Sequence, residues 1–399
     1  MAYIGTVVIY IIMICAVIGA FASIRDPESP LGKEFTAGLH SIGPIFIPVA
    51  GIMAAIPYLS AFISAVLGPV FSAVGADPAL AATSVIAADM GGYQLAKELA
   101  LSPEGWMLAT LTGFMAGATI IFSIPVGLAM LEKEDHQYMA VGIMCGLLSI
   151  PIGVLVSCLA MGLMDVAIRP EIDASGEATQ ALALTVSGVL RNIAPLIVFC
   201  LVLATCLKLF PALMIRGFLA FGRIMYAAIT LVLVFSIVEY FTGFFSGLFG
   251  SWGFAPIIAD AEDQFRALEV AGYIGIMLAG AFPMVWLMNR FLQTPMQWLG
   301  NRLGLSAEGT AGLLAAAANI LAMFRLIKDM PPRDKVLVIS FAVCGAFMFG
   351  DHLAFSANFQ PTIILPLLLG KLVGGGAGFA IAMWLQNPGL SGEKAGAGV

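Results

Sequence analysis

The stretch ALAATSVIAADMGGYQLAK, residues 79–97, contains the feature that decides the fold. It is apolar and long enough to cross a bilayer, but Asp89 lies near its centre and is followed by Gly91 and Gly92. A charged side chain inside a bilayer costs at least about 2.5 kcal/mol, and paired glycines lower the local helix propensity. A second apolar stretch, residues 307–327, has Asn319 near its centre. Each stretch is therefore either a full span or a re-entrant hairpin that enters and leaves on one side.

The composition indicates an all-α protein with many membrane spans. Of the 399 residues, 60% are hydrophobic and only 11% are charged, whereas soluble proteins have about 25% charged residues. A net charge of -6, with the basic residues scattered between apolar runs, excludes nucleic-acid binding. The six cysteines lie in apolar runs without a CxxC pair, so we interpret them as packing residues rather than disulfides or metal ligands. No cofactor is predicted.

Nine apolar runs reach the roughly 20 residues that a helix needs to cross about 30 Å of hydrocarbon. They lie near 4–24, 37–58, 107–131, 138–164, 181–207, 219–242, 267–289, 336–357 and 362–385. The first run has no basic residue before it and Arg25 after it, which is the reverse of the charge order in a secretory signal. We therefore predict that it is a span whose N-terminus lies outside the cytoplasm.

The distribution of Lys and Arg favours hairpins over full spans for the two interrupted stretches. With two hairpins, 13 of the 18 basic residues lie on the cytoplasmic side, and with two full spans the division is nearer 11 to 7. Cytoplasmic loops of membrane proteins are enriched in these residues, so the hairpins are preferred. This topology places the acidic loop 165–177 outside, the C-terminus in the cytoplasm, and Lys371 at the outer edge of its span.

Sequence matches spaced 229 to 233 residues apart indicate an internal duplication. Ala50-Gly51 matches Ala279-Gly280, Asp89 matches Asn319, and Gly117, Phe122 and Ser123 match Gly350, Phe355 and Ser356. With two hairpins, the second copy is inverted, as in many secondary transporters. We predict a first repeat at 1–164, a linking loop and span at 165–218, an inverted repeat at 219–385 and a flexible cytoplasmic tail at 386–399.

The candidate substrate site consists of polar and aromatic residues within the apolar stretches. The candidate substrate-binding residues are Asp89, Asp351, His352, Asn319, Ser123, Asn358, Tyr93, Phe122 and Phe355, and Gly91 and Gly92 are the candidate hairpin break. An ionisable group inside the membrane is a functional candidate by default, and a histidine there can titrate near neutral pH. The alternative for each residue is structural: a polar group bonded to its own or a neighbouring helix, or an aromatic ring that only packs.

The predicted charge of this site favours a small cation. We expect two carboxylates, amides and a hydroxyl at one depth, with no Lys or Arg beside them, whereas an anion would require basic partners. A protonated amine would form a charge-assisted hydrogen bond with Asp89 or Asp351.

Five segments resemble the EutH family of bacterial ethanolamine transporters. They are DMGGYQLAKELA (89–100), TIIFSIP (119–125), SIPIG (149–153), GDHLAF (350–355) and GKLVGG (370–375). The resemblance implies uptake of ethanolamine through the bacterial cytoplasmic membrane, and ethanolamine is a small amine cation with one hydroxyl group. It assigns no binding residues, so the candidate site rests on the chemistry above.

Other functions remain as alternatives. A transporter or channel for another small polar cation or amine fits the same residues. An intramembrane aspartyl protease would use two membrane aspartates, but Met348 replaces the first glycine of the Gly-x-Gly-Asp motif. The motifs of zinc hydrolases, P-loop proteins and serine hydrolases are absent, so we predict a protein that is not an enzyme. By analogy with other transporters, we also expect an elevator-like movement and a homo-oligomer.

Overall fold

The computed structural model describes residues 2–386, and the regular secondary structure in this part of the chain is helical apart from one isolated bridge between Ile168 and Gln180. The α-helices are α1 (Ala2–Arg25), α2 (Pro30–His40), α3 (Ile42–Ala54), α4 (Ile56–Val66), α5 (Gly68–Ala73), α6 (Ala79–Thr83), α7 (Gly92–Leu99), α8 (Pro103–Thr112), α9 (Ile124–Met130), α10 (His136–Leu163), α11 (Val186–Leu209), α12 (Pro211–Thr242), α13 (Phe244–Phe249), α14 (Ala267–Leu303), α15 (Ala307–Ala318), α16 (Ile320–Ile327), α17 (Pro332–Gly345), α18 (Asp351–Phe359) and α19 (Ile364–Leu385). A π-helix, Gly113–Ser123, joins α8 directly to α9. The predicted cytoplasmic tail lies outside the described residues apart from Gln386.

Eight of the nine predicted spans are continuous helical segments that are long and apolar enough to cross a membrane. These segments are Ile4–Arg25, Pro30–Ala54, Pro103–Met130, Lys133–Leu163, Val186–Leu209, Pro211–Thr242, Ala267–Leu303 and Pro361–Leu385. The prediction of a polytopic, all-α membrane protein is thus confirmed.

The ninth predicted span, near 336–357, is not one continuous helix. Helix α17 ends at Gly345 and α18 begins at Asp351, and Phe347 between them has a φ of 59°. This left-handed conformation is costly for a residue with a side chain, so the surrounding structure must hold it in place. The backbone N–H groups of Phe347 and Phe349 donate hydrogen bonds of 3.1 and 2.8 Å to the last turn of α15, at Ala316 and Ala317. The break therefore completes the hydrogen bonding of a neighbouring helix end.

Both interrupted stretches form re-entrant hairpins. Hairpin 1 consists of α6, an irregular tip and α7, and hairpin 2 consists of α15 and α16 joined at Asn319. At the mouth of hairpin 1, the Asp77 carboxylate accepts a 2.8 Å hydrogen bond from the N–H of Leu101. At the mouth of hairpin 2, the Asp334 carboxylate accepts a 2.7 Å bond from the N–H of Ser306. In each case these bonds join the chain just before the hairpin to the chain just after it, so each hairpin returns to the side from which it entered.

The two mouths lie at opposite ends of α10. Lys97 of hairpin 1 contacts the carbonyl of Pro170, in the loop that follows α10, and lies 3.6 Å from Glu171. Lys335, just beyond hairpin 2, forms a buried 2.5 Å ion pair with Asp135, immediately before α10. Helix α10 has 28 residues, which corresponds to a length of about 42 Å. The hairpins therefore enter from opposite faces of the protein.

The helices that position the site form two groups. In the scaffold bundle, defined as α1, α2, α3, α12 and α14, helix α14 packs along α1, α2 and α3. In the hairpin bundle, defined as α6–α10 and α15–α19, helix α10 packs along α17 and α19. The helices of both groups are apolar over most of their length. This packing buries the part of each helix surface that is turned towards its neighbours.

Candidate functional site

A cavity of about 280 Å³ lies between the scaffold bundle and the hairpin bundle. Its lining from the hairpin bundle is Ala87, Asp89, Met90, Ala118, Phe122, Asn319, Leu321, Phe347, Asp351 and His352, and its lining from the scaffold side is Ser41, Pro44, Ile45, Pro48, Ile274 and Phe282. All of its ionisable groups thus come from one bundle, and the opposite wall is apolar except for Ser41. Such a cavity, apolar with a few convergent polar groups, is typical of a small-molecule site.

Asp89 reaches the cavity because the tip of hairpin 1 is not helical. Ala88–Met90 form a 3-10 turn, and Gly91 has a φ of 91°, a conformation that glycine adopts without strain. A Cβ atom at Gly91 would also lie 2.9 Å from the Ile52 side chain. At Gly92, where α7 begins, a Cβ atom would lie 2.5 Å from the carbonyl oxygen of Ala87, so the close approach of the backbone explains the second glycine.

Asp351 and His352 enter the cavity from the first turn of α18, and His352 is 1% exposed. The Nε2 atom of His352 lies 3.8 Å from Oδ1 of Asp89, which is too long for a hydrogen bond. Among the described residues, Asp89 Oδ1 and His352 Nδ1 have no hydrogen-bond partner. Leaving a buried polar group unpaired costs about 1–3 kcal/mol, so such a group usually has a functional role or binds a partner such as an ion. A polar ligand in the cavity would supply partners to this cluster.

Asn319 and Phe122 complete the set of predicted residues that line the cavity. The Asn319 Oδ1 atom accepts a 2.8 Å hydrogen bond from the N–H of Leu321 and so caps α16. The Phe122 ring packs edge-on against Phe347 at a centroid distance of 6.0 Å. The structure therefore brings Asp89, Asp351, His352, Asn319 and Phe122 together around one cavity.

Ser123 and Phe355 lie outside the cavity lining. The Ser123 hydroxyl donates a 3.1 Å hydrogen bond to the carbonyl of Ala118, five residues earlier, which matches the wider turn of the π-helix. Phe355 is buried and packs against Phe114 and Tyr93 at centroid distances of 5.8 and 5.3 Å. Both residues form supporting structure behind the wall.

Tyr93 and Asn358 also lie outside the cavity lining, and both form hydrogen bonds with other residues outside it. Tyr93 is fully buried, and its hydroxyl accepts a 2.9 Å hydrogen bond from Nε2 of Gln360. The Asn358 amide donates a 2.9 Å hydrogen bond to the carbonyl of Tyr273 in α14. The Asn358 contact joins the hairpin bundle to the scaffold bundle.

Lys371 was placed wrongly by sequence reasoning. It is 1% exposed rather than at an outer edge, and its Nζ atom donates a 2.9 Å hydrogen bond to the carbonyl of Phe114 in the π-helix. Since α19 begins at Ile364 after the turn Pro361–Ile363, Lys371 lies roughly 15 Å along this helical segment. Its position inside the apolar run ILPLLLGKLVGGG, residues 364–376, is the signal that could have identified it.

The expectation that no basic residue would lie near the acids therefore needs correction. The part of the cavity wall formed by described residues contains no Lys or Arg, but Lys371 lies behind that wall, bonded to Phe114, whose ring packs on His352. The described residues contain no group of three or more His, Cys, Asp or Glu side chains that could hold a metal ion.

Comparison with known proteins identifies the family. Residues 4–385 match the family described as "Ethanolamine utilisation protein, EutH". The "Probable ethanolamine permease EutH" of Listeria monocytogenes is 34% identical over 393 residues, which cover 98% of this chain and 97% of the relative. The protein of the same name from Escherichia coli is 36% identical over 364 residues, covering 89% of this chain and 85% of the relative.

A third relative, the "Uncharacterized protein YxeR" of Bacillus subtilis, is 33% identical over 356 residues, covering 89% of this chain and 88% of the relative. No solved structure matches the chain. The family match and the relatives extend over nearly the whole sequence, from the first span to the last. This chain therefore belongs to the EutH family of ethanolamine utilisation proteins.

Proposed function

We propose that this protein carries ethanolamine across the bacterial cytoplasmic membrane by alternating access. The relatives named as ethanolamine permeases support a transport role, and the eight continuous spans support a multi-pass membrane protein. The observation that carries the proposal is the pair of carboxylates, Asp89 and Asp351, beside an unpaired histidine in a cavity between two helix bundles.

The chemistry of the cavity suits an amino alcohol in its ammonium form. An ammonium group donates three hydrogen bonds, and bonds to carboxylates are about twice as strong as bonds between neutral groups. The substrate hydroxyl both donates and accepts, so it suits the unpaired His352 Nδ1 and the Asn319 amide nitrogen on the same wall. The apolar scaffold wall, with Pro44, Pro48 and Phe282, would exclude water from these bonds.

The division of the cavity between bundles suggests how the site alternates. The hairpin bundle holds every ionisable group, so its movement against the apolar scaffold wall would move the complete site. Near the end of α18, Asn358 bonds to the carbonyl of Tyr273, and the Phe359 ring packs edge-on against Tyr273 and Phe265. These contacts between the bundles must break for the cavity to open towards the loop between α10 and α11. We assign that loop to the outside and the C-terminus to the cytoplasm.

Uptake of labelled ethanolamine into proteoliposomes tests the proposal. We expect Asp89→Asn and Asp351→Asn each to reduce initial uptake by about 10- to 100-fold, because a hydrogen bond to a charged group contributes about 1.5–3 kcal/mol. Glu98→Gln is the matched control, since Glu98 belongs to hairpin 1 but is exposed, and it should transport at the wild-type rate. Each variant is compared with the wild type by unfolding temperature in detergent.

The outcomes separate the parts of the proposal. Absence of ethanolamine uptake by the wild type would refute the substrate, whereas wild-type rates in both aspartate variants would refute the site. Competition by other small amines tests the alternative of a different cationic substrate, and imposed sodium or proton gradients test the coupling. Impermeant labelling of cysteines introduced at 98–104 and 329–334 tests the orientation, with outside access expected only for the first segment.

A further inference from the structure

Lys371 is a buried cation to which the transport proposal assigns no role. Its Nζ atom donates a hydrogen bond of 2.9 Å to the carbonyl of Phe114 in the π-helix, the segment that also presents Ala118 and Phe122 to the cavity. The Phe114 ring in turn packs on His352 at a centroid distance of 4.8 Å. The amine therefore lies directly behind the wall that carries the ionisable groups.

A chain of contacts connects Lys371 to the acid of hairpin 1. Phe114 accepts the Lys371 hydrogen bond and packs on His352, and Nε2 of His352 lies 3.8 Å from Oδ1 of Asp89. Charges interact over longer distances in a protein interior than in water, because the effective dielectric constant is lower. An uncompensated buried charge is strongly destabilising, so a buried ammonium and a buried carboxylate within range of each other depend on one another. Phe114 and His352 separate Lys371 from Asp89, so the two groups can form such a pair without direct contact.

We propose that Lys371 is a built-in counter-cation that makes the substrate site selective for monovalent cations. When all three groups are ionised, Asp89 and Asp351 supply two negative charges and Lys371 supplies one positive charge. One substrate ammonium group neutralises the remaining single negative charge. A diamine with two ammonium groups would leave an excess positive charge in a site of low dielectric constant. Lys371 acts through the charge of the site and does not contact the substrate. This inference rests on the proposed function and names the charge class of its substrate.

A pair of competitors that differ in one group tests the inference. We use 3-aminopropan-1-ol, with one ammonium and one hydroxyl group, and 1,3-diaminopropane, with two ammonium groups, against uptake of labelled ethanolamine. The wild type should be inhibited more strongly by the amino alcohol. Lys371→Gln keeps an N–H donor for the Phe114 carbonyl but removes the charge, so we expect the ratio of inhibition to shift towards the diamine by about tenfold or more. That shift corresponds to about 1.4 kcal/mol.

Two further variants separate charge from structure. Lys371→Arg keeps the charge and should keep the wild-type preference. Lys335→Gln removes a second buried lysine, which pairs with Asp135 away from the cavity, and it should lower the unfolding temperature without changing the preference. An unchanged preference in Lys371→Gln, or the same shift in Lys335→Gln, would overturn the inference.

A double variant gives an answer even if Lys371→Gln does not fold. Asp89→Asn with Lys371→Gln removes both members of the pair and leaves Asp351 to supply a single negative charge. We expect this variant to take up ethanolamine at least about threefold faster than Asp89→Asn alone, a coupling expected of interacting charges. Equal or slower uptake in the double variant would refute the charge balance. If the wild type does not transport ethanolamine at all, the proposed function fails, and the change in unfolding temperature with each competitor still measures the selectivity.

Discussion

The two hairpins have closely similar mouths but different tips. In hairpin 1, an irregular segment at 84–91 separates α6 from α7, and it presents Asp89 with an unpaired oxygen. In hairpin 2, Asn319 alone separates α15 from α16, and its oxygen is already used to cap α16. The tips line the same cavity, but only the first brings a charge to it. We infer that the similar mouths position the two tips, and that the different tips supply the chemistry of the site.

The mouths show the shared part in atomic detail. A Leu-Ser-x-Glu-Gly segment follows hairpin 1 at 101–105, and the same pattern at 305–309 leads into the first turn of hairpin 2. Ser102 and Ser306 each accept a 3.0 Å hydrogen bond from the backbone N–H three residues later, which starts the next helix. An aspartate on the other side of each hairpin, Asp77 or Asp334, accepts a backbone N–H from the segment. The same joint is thus built in opposite chain order, which closes hairpins that enter from opposite faces.

The largest expected effect on stability comes from removing the aspartates at the mouths. Asp77→Ala leaves the N–H groups of Ala79 and Leu101 without their acceptors, and Asp334→Ala leaves that of Ser306. Each hydrogen bond to a charged carboxylate contributes about 1.5–3 kcal/mol, so Asp77→Ala, which loses two such bonds, should lower the free energy of unfolding more than Asp334→Ala. Denaturant or thermal unfolding in detergent measures both. If both variants were as stable as the wild type, these hydrogen bonds would not hold the hairpin mouths together.

Close packing at the mouths gives the second prediction. A Cβ atom at Gly105 would lie 1.9 Å from Oδ2 of Asp77, and one at Gly309 would lie 2.5 Å from Oδ2 of Asp334. Since hydrogen bonds hold these carboxylates, Gly105→Ala and Gly309→Ala should each destabilise by about 1–3 kcal/mol. Gly217→Ala is the control, because Gly217 is exposed in α12 and no described atom outside its own helix lies within 4 Å of such a Cβ. The control should equal or slightly exceed wild-type stability.

The smallest expected effect is at the second tip. Asn319→Ala removes the cap of α16 and should lower the free energy of unfolding by about 1 kcal/mol, whereas Asn319→Asp keeps an acceptor for the N–H of Leu321. We therefore expect the aspartate variant to retain more stability than the alanine variant, as measured by unfolding temperature. Equal unfolding temperatures of the two variants would show that the Asn319 cap does not stabilise the break between α15 and α16.

Sequence reasoning located the hairpins because their signals are local. Asp89 with Gly91 and Gly92, and Asn319 in the second stretch, mark the interruptions within apolar stretches, and the distribution of Lys and Arg favours a return to the same side. The break between α17 and α18 contains a similar pair, Gly350 and Asp351, but the sequence analysis predicts one continuous span near 336–357. Its backbone is held by carbonyls of Ala316 and Ala317, which are distant in sequence.

Local sequence signals predicted the residues of the candidate site only in part. Residues that share a depth in the membrane point in different directions, so Phe122 lines the cavity while the adjacent Ser123 bonds back to Ala118. The π-helix that sets these directions is not evident in the apolar run. The duplication and its boundaries at 164, 218 and 385 remain predictions.

The sequence by itself determined the class of protein, the approximate spans and the two interrupted stretches, because the cost of placing polar groups in hydrocarbon depends on local composition. Only the tertiary structure decided which of the buried polar residues meet. Gly370 lies against Ser157 of α10, while the next residue, Lys371, reaches the π-helix behind the cavity. Such an arrangement depends on how helices rotate and approach one another, and packing between distant segments fixes this rotation.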